Sequence, residues 1–308
     1  MSAEGSKRAI IAALLANAGI ATAKFIGFLI TGSSSMIAEA VHSVADTSNQ
    51  GLLLFGQNRA AKQANRLHPF GYGRSRYFYS FVVALVLFTL GSMFAIYEGI
   101  EKIRHADDHG LESPIVAVVI LVVAIALEGY SFRTAYKESN PLKGGATWWQ
   151  FIRNARTPEL PVVLLEDTGA LVGLILALGG VGLTMITDNA VWDGVGTLSI
   201  GVLLGVIAII LIVEMQSLLI GEGATDAEEK ALLAELTAAD GVDRVIHMKT
   251  QYLGPDEMLV AAKIAISPGS DIGKIADTIN AAELRVRTAL PQARLIYLEP
   301  DIDHGAVN

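Results

Sequence analysis

Six long apolar segments dominate this chain of 308 residues and restrict it to the folds of membrane proteins. A helix needs about 20 largely apolar residues to cross the hydrocarbon core of a bilayer. Six segments reach that length: 9–31, 35–57, 78–101, 113–135, 160–181 and 190–220. The composition agrees, because 52% of the residues are hydrophobic and only 18% are charged. We therefore predict a membrane domain of six transmembrane helices.

Basic residues are concentrated in two of the connections between these segments. The second connection carries Arg59, Lys62, Arg66, Arg74 and Arg76, and the fourth, together with the last residues of the span before it, carries Arg133, Lys137, Lys143, Arg153 and Arg156. Basic connections remain in the cytoplasm, so we expect both termini there. The first segment lacks a small-residue cleavage site, which indicates a membrane span and not a removed signal peptide. The absence of a transit peptide and the compact loops favour the inner membrane of a bacterium.

The chain changes character after residue 220. Residues 221–308 contain 15 acidic and 8 basic residues and no apolar segment of spanning length. The patterns predict a helix with Thr225 or Asp226 as N-cap, two strands around the turn "GPDE", a second helix and a third strand. This order is typical of a small two-layer α+β domain. We predict a transmembrane domain over 1–220 and a cytoplasmic domain over 221–308, which pairing with a second copy would stabilise.

The second apolar segment contains the stretch "AEAVHSVADTSNQ", which places ionisable residues where hydrocarbon is expected. Glu39, His42 and Asp46 follow an i, i+3, i+7 spacing, so they share one face of a helix. A charged side chain at the centre of a bilayer costs about 2.5–3.5 kcal/mol on insertion scales, so such residues face partners or water. His42 and Asp46 lie one turn apart and could bind one cation. The alternative is a structural His–Asp pair that ties this helix to a neighbour.

The fifth apolar segment carries a second pair of acids, Glu166 and Asp167, among aliphatic residues. Adjacent helical residues point about 100° apart, so only one of them can aim squarely at a given partner. Two helices that each carry a buried acid can build a shared site in a bundle. The alternative places both acids in solvent near the cytoplasmic surface. Glu128, in the fourth segment, could join a proton path or simply be a packed polar residue.

The types of ligand available restrict the metal that such a site could bind. The chain has no cysteine, so any ligands are nitrogen and oxygen atoms. Histidine with carboxylates suits Zn²⁺, and also Mn²⁺, Fe²⁺ or Co²⁺, whereas Mg²⁺ prefers oxygen ligands alone. Histidine must be neutral and the acids ionised to bind metal, so metal and protons compete. This competition predicts coupled movement of metal and protons, with the metal as cargo and no resident cofactor.

These motifs together resemble the cation diffusion facilitator family, also called the zinc transporter family. The resemblance covers six spans, the His42-x-x-x-Asp46 motif, the stretch "HPFGYGRSRYFYSFVVAL" before the third span, an acid on the fifth span and the acidic C-terminal part. The stretches "AEAVHSVADTSNQ" and "LLEDTGALVG" are similar to the branch that includes the mitochondrial member and its bacterial relatives.

The resemblance implies a proton-coupled metal exporter that works as a homodimer. It implies an all-α membrane domain of six helices and a cytoplasmic α+β domain with a ferredoxin-like fold. Two ligands from the second span and two from the fifth form the family's tetrahedral site, so His42, Asp46 and Asp167 are implied as direct ligands. The position four residues before Asp167 is Val163, which cannot bind metal. Glu166, Glu39 or a water molecule is expected to complete the site.

Three other functions are alternatives to zinc export. An exporter of manganese, iron or cobalt would use the same fold. An intramembrane enzyme is disfavoured, because the sequence lacks a His-Glu-x-x-His motif and a convincing serine–histidine arrangement. A metal sensor that no longer transports is favoured only by the missing ligand at Val163. The expected partners are a divalent metal ion, protons, membrane lipid and a second copy of the chain, with no nucleic acid.

Overall fold

The fold is taken from a computed structural model that describes residues 2–31, 34–106 and 114–302. Within those ranges, the side chains of residues 2, 3, 31, 34–42, 45 and 114 lie outside the description. Glu39 and His42 are therefore placed only as backbone.

Long helices occupy the first 220 residues, and they coincide with the six predicted spans. The helices are α1 (Ser2–Thr31), α2 (Ser34–Ala60), α3 (Ser75–Val86), α4 (Phe94–Arg104), α5 (Pro114–Lys143), α6 (Trp148–Asn154), α7 (Glu159–Thr187) and α8 (Val191–Ile220). A π-helical segment, Leu87–Met93, joins α3 and α4 into one helix over Ser75–Arg104. The short α6 was not predicted.

Five helices of the described part are long and apolar enough to cross a membrane: α1, the helix over Ser75–Arg104, α5, α7 and α8. The remaining predicted span, the second, corresponds to α2, which has a comparable length of 27 residues but does not meet the same criterion of apolarity. The reason lies in its sequence, which carries the polar stretch of residues 38–50 and Arg59. The helix richest in candidate ligands is therefore the least apolar one.

Glycine residues bring α4 and α8 into close contact. A Cβ atom at Gly99 would lie 2.5 Å from the backbone nitrogen of Leu198, and one at Gly201 would lie 2.7 Å from that of Ile96. The hydroxyl of Ser92 also donates a hydrogen bond of 2.8 Å to the carbonyl of Gly201. Small residues allow membrane helices to pack backbone against backbone, and this pair uses them in that way.

Backbone contacts divide the chain into two compact units. The first comprises Met1–Arg59 with Arg76–Gln216, and the second comprises Ala60–Ser75 with Ser217–Asn308. The loop between α2 and α3 therefore groups with the C-terminal part of the chain. The predicted domain boundary after residue 220 rests on the change in sequence character and stays a prediction.

The C-terminal unit has the predicted order of helices and strands. Its elements are α9 (Asp226–Thr237), β1 (Val242–Gly254), β2 (Glu257–Ile266), α10 (Ile272–Ala289) and β3 (Ala293–Asp301). The sheet order is β1-β2-β3, with β1 antiparallel and β3 parallel to β2. A parallel pair requires a crossover connection, which α10 provides. The α+β prediction is confirmed.

Alternating burial explains how this sheet holds its helices. Met258, Val260, Ala262 and Ile264 lie on one face of β2 and are all buried, as the twofold period of a strand requires. They belong to one core with residues of both helices, among them Leu232, Leu236, Ala282 and Val286. The start of α9 is fixed by a capping box, in which Thr225 is the N-cap and Glu228 closes the box. Of the two N-caps considered, the structure selects Thr225.

Two glycines bring the α2–α3 loop against the β1–β2 hairpin within the C-terminal unit. A Cβ atom at Gly73 would lie 2.7 Å from the carbonyl oxygen of Leu253, and one at Gly254 would lie 2.8 Å from the Cα atom of Gly73. No larger residue can occupy either position without movement of the backbone. This close approach explains why residues 60–75 group with the C-terminal part.

Candidate cation site in the membrane helices

The candidate site begins on α2, in the polar stretch that the sequence singled out. Asp46 is half-buried, whereas Asn49 and Gln50 are 1% and 0% exposed. Within the described part of the chain, the side-chain oxygens of Asn49 and Gln50 accept no hydrogen bond. The predicted ligands Glu39 and His42 lie on the same helix, but their side chains are outside the described residues. The described part of α2 thus supplies a carboxylate and two amide oxygens.

The acids of α7 are buried in the membrane unit. Glu166 is 7% exposed and Asp167 is 2% exposed. Their burial disagrees with the alternative in which both side chains are solvated near the cytoplasmic surface. Val163, one turn before Asp167, is completely buried and apolar, so this turn of α7 offers no further ligand.

Each of the two adjacent acids is bound by a different neighbouring helix. The Nε2 atom of Gln50 on α2 donates a hydrogen bond of 2.8 Å to Oε2 of Glu166. The hydroxyl of Ser131 on α5 donates one of 2.7 Å to Oδ2 of Asp167. This agrees with the angle of about 100° between adjacent helical residues, which directs their side chains to different partners. Helix α7 therefore contacts both α2 and α5 at this level.

A third helix, α5, also contributes to the site. The ligand set predicted from the sequence came from α2 and α7 and did not include it. Glu128 on α5 is 5% exposed and interacts electrostatically with Asp46 and with Lys24 of α1. Asp167 in turn interacts with Glu128, and Glu166 with Asp46. The signal in the sequence was the pair Glu128 and Ser131, which share a helical face at i, i+3 in an apolar segment.

The described carboxylates lie near one another, but they are not arranged to coordinate one metal ion together. Among the side chains that the structure describes, no group of three or more His, Asp or Glu residues could already hold one metal ion. His42 was outside that search, because its side chain is not described. The described part of the site is therefore a set of buried oxygen ligands distributed over α2, α5 and α7.

A buried ion pair lies at the beginning of two of the membrane helices. The Nε and Nη2 atoms of Arg76 donate hydrogen bonds of 2.5 and 2.9 Å to the two carboxylate oxygens of Glu159. Both side chains are buried, and the bidentate geometry is the strong form of such a pair. The pair joins the first turn of α3 to the first turn of α7. No local sequence pattern identified it, because the partners are 83 residues apart.

Comparisons with known proteins address the membrane unit and most of the chain. The family described as the cation efflux transmembrane domain matches residues 10–220. The mitochondrial proton-coupled zinc antiporter of Mus musculus is 33% identical over 264 residues, which are 85% of this chain and 46% of that protein. A metal tolerance protein of Arabidopsis thaliana is 30% identical over 262 residues, which are 84% of this chain and 57% of that protein.

Two further similarities involve magnetosome proteins. MamB of Magnetospira sp. is 30% identical over 202 residues, which are 64% of each chain. A solved structure of the MamM C-terminal domain covers 26% of this chain and 95% of that chain, at 18% identity and a TM-score of 0.25. The present chain spans about half the length of the first curated relatives that it matches. The match over residues 10–220 covers more than half of the chain, and the protein therefore belongs to the cation efflux family of membrane transporters.

Proposed function

We propose that this protein exports a divalent metal cation in exchange for protons, and that Zn²⁺ is its main cargo. The proposal rests on three carboxylates in membrane helices of a cation efflux chain: Asp46, which is half-buried, and Glu166 and Asp167, which are buried. Their position is costly unless a cation or protons neutralise them. A transporter that exchanges a metal ion for protons keeps these carboxylates neutralised in both halves of its cycle.

The exchange follows from competition for the same oxygen atoms. A carboxylate that binds a metal ion must be ionised, and a protonated carboxylate releases the ion. Hydrogen bonds from Gln50 and Ser131 orient Glu166 and Asp167, so both acids keep fixed positions while their charge is exchanged. In this mechanism, protons that enter from the outer side displace the metal outward, and the emptied site reloads from the cytoplasm.

Zinc is favoured over the alternatives for two reasons. His42 adds an imidazole to the carboxylates, a combination that suits Zn²⁺, and the relative from Mus musculus is named as a zinc antiporter. A site completed by Glu166 or Glu39 would be richer in oxygen and would favour Mn²⁺ or Fe²⁺. We further propose a homodimer in the inner membrane of a bacterium, with both termini in the cytoplasm.

Transport into proteoliposomes tests this proposal. Inside-out vesicles loaded with a metal-sensitive dye are given Zn²⁺, Mn²⁺, Fe²⁺, Co²⁺ or Mg²⁺, with and without an acidic lumen. We expect uptake of Zn²⁺ that depends on the acidic lumen and is lost in Asp167→Asn, while the exposed-site control Glu4→Gln transports normally. Uptake of Mn²⁺ or Fe²⁺ instead of Zn²⁺ would replace the cargo. No uptake of any ion would favour the sensor that does not transport.

A further inference from the structure

The fourth membrane segment contributes a carboxylate, Glu128, that the predicted ligand set does not include. We propose that Glu128 binds the transported cation together with Asp46, and so supplies the ligand that Val163 cannot provide. This inference deepens the proposed function and rests on it. It follows from the alignment of three helices, from the burial of Glu128 and from an unpartnered amide oxygen beside the acids.

The first alignment places Glu128 relative to α7. Ser131 donates to Asp167, so these two residues lie at the same level of α5 and α7. Glu128 precedes Ser131 by three residues on the same face of α5, which is a step of about 4.5 Å along the helix axis. Glu128 therefore lies one turn from Asp167, toward the beginning of α5.

The second alignment places Asp46 at the same level. Gln50 donates to Glu166, the neighbour of Asp167, so Gln50 and Ser131 lie at similar levels on α2 and α5. Asp46 precedes Gln50 by four residues, a step of about 6 Å toward the beginning of α2. In the predicted alternating topology, the second and fourth spans run in the same direction. Both steps therefore lead to the same side, and Asp46 comes opposite Glu128.

The electrostatics agree with this alignment. Glu128 interacts electrostatically with Asp46 and Lys24, and Asp167 interacts with Glu128 in turn. Glu128 is only 5% exposed. Its carboxylate has neither a hydrogen bond nor a salt bridge among the described residues. Two carboxylates close to each other repel one another, and a bound cation or protons lower that repulsion.

A second, independent feature indicates the kind of ligand that belongs there. Asn49 is 1% exposed and interacts with Glu166 through its side chain, yet its Oδ1 atom accepts no hydrogen bond in the described part of the chain. A buried amide oxygen without a donor is rare and needs an explanation. Carboxylate and amide oxygens together form a suitable ligand set for a divalent cation.

Equilibrium binding to the purified full-length protein in detergent tests the assignment independently of transport. The affinities for Zn²⁺ and Mn²⁺ are measured in the unchanged protein and in Glu128→Gln, Glu128→Asp, Asp167→Asn and Glu214→Gln. Glu214 is a matched control, because it is also a buried carboxylate of a membrane helix but pairs with Arg153. Thermal unfolding and size-exclusion chromatography of each variant report whether the fold is kept.

We expect Glu128→Gln to weaken binding by roughly tenfold or more, a loss seen even for residues that only support a metal ligand. Glu128→Asp should retain part of the affinity, and Glu214→Gln should retain all of it. Affinity within about twofold of the unchanged protein in a folded Glu128→Gln variant, with loss in Asp167→Asn, would overturn the inference. If Glu128→Gln does not fold, full affinity in the Glu128→Asp variant would overturn the inference. Binding that depends on Glu128 in a protein that moves no ion would support this inference and refute the proposed export.

Discussion

Glu228 accepts hydrogen bonds from three different residues in the C-terminal unit. It accepts a hydrogen bond of 2.5 Å from the Tyr252 hydroxyl and one of 3.0 Å from Gln292. Thr225 donates to it from both its backbone N–H and its hydroxyl. Burial acts to raise the pKa of Glu228, but these hydrogen bonds outweigh it and lower the pKa below its ordinary value. One side chain thus links α9, β1 and the turn before β3.

Replacement of this carboxylate has a predictable dependence on pH. Because the folded-state pKa of Glu228 is lowered, its contribution to stability is complete above the unfolded pKa and disappears as the pH falls through the folded one. Glu228→Gln should therefore reduce protection of α9 and β1 at pH 7, and the difference from the unchanged protein should shrink below about pH 4.5. Hydrogen exchange of the full-length protein, corrected for intrinsic rates, measures this. The exposed neighbour variant Glu229→Gln is the control, and a difference independent of pH would contradict the explanation.

At the residue scale, the sequence located the ionisable groups but not their partners. Asp46, Glu166 and Asp167 were recognisable because charged residues stand out in apolar segments. The hydrogen bonds from Gln50 and Ser131 were not predictable, since they depend on which helices pack together and at what height. Amide and hydroxyl side chains are also common in membrane helices, so their presence alone does not indicate a site. The ligand roles of His42, Glu39 and the other candidates stay predictions.

Among the helices, the pair formed by Arg76 and Glu159 joins two first turns. Removal of one partner from a buried ion pair leaves an uncompensated charge and typically costs about 3–5 kcal/mol. Glu159→Gln should therefore lower the unfolding temperature of the detergent-solubilised protein markedly. Glu4→Gln, which breaks the exposed pair with Arg8, should change stability by about 0–1 kcal/mol.

A double variant separates charge from packing at the same place. Arg76→Met with Glu159→Met removes both charges and keeps apolar bulk, so we expect it to recover part of the stability that Glu159→Gln loses. If Glu159→Gln is no more harmful than Glu4→Gln, the pair does not stabilise the junction of α3 and α7.

The α2–α3 loop depends on the close approach of Gly73 and Gly254. A methyl group at Gly73 would meet the Leu253 carbonyl, which is backbone and cannot rotate away. Gly73→Ala should therefore release residues 60–75 and increase their cleavage by trypsin at Lys62 and Arg66. Gly145→Ala, at a position with no atom within 4 Å of the added carbon, serves as the control. Equal cleavage of the two variants would show that the contact does not hold the loop.

The elements themselves were largely readable from the sequence, because long apolar segments and alternating strands have clear periods. The structure confirms the order of the C-terminal helices and strands. Helix α6 was not predicted, because its seven residues are too few to show a helical period. Its capping box of Thr147 and Gln150 is the sequence signal that could have identified it. The π-helical segment Leu87–Met93 escaped as well, because its residues are ordinary for a membrane helix.

At the scale of the whole molecule, the absence of cysteine makes the membrane topology directly measurable. Each introduced cysteine is the only thiol in the chain. We expect Lys62→Cys and Arg153→Cys to be protected from a membrane-impermeant thiol reagent added to intact cells, because basic connections remain inside. Asn189→Cys, between α7 and α8, should be labelled. Labelling of Lys62→Cys in intact cells would reverse the proposed orientation.

The low apolarity of α2 has a consequence for how the protein is made. A segment that carries Glu39, Asp46 and Arg59 partitions into lipid less readily than its five neighbours during synthesis, because each charge opposes insertion. Its entry into the bilayer is therefore expected to depend on the apolar helices that flank it in the chain. Replacement of Glu39, His42 or Asp46 by an apolar residue should ease biogenesis while removing a candidate ligand, so selection for yield and selection for metal handling act on these positions in opposite directions.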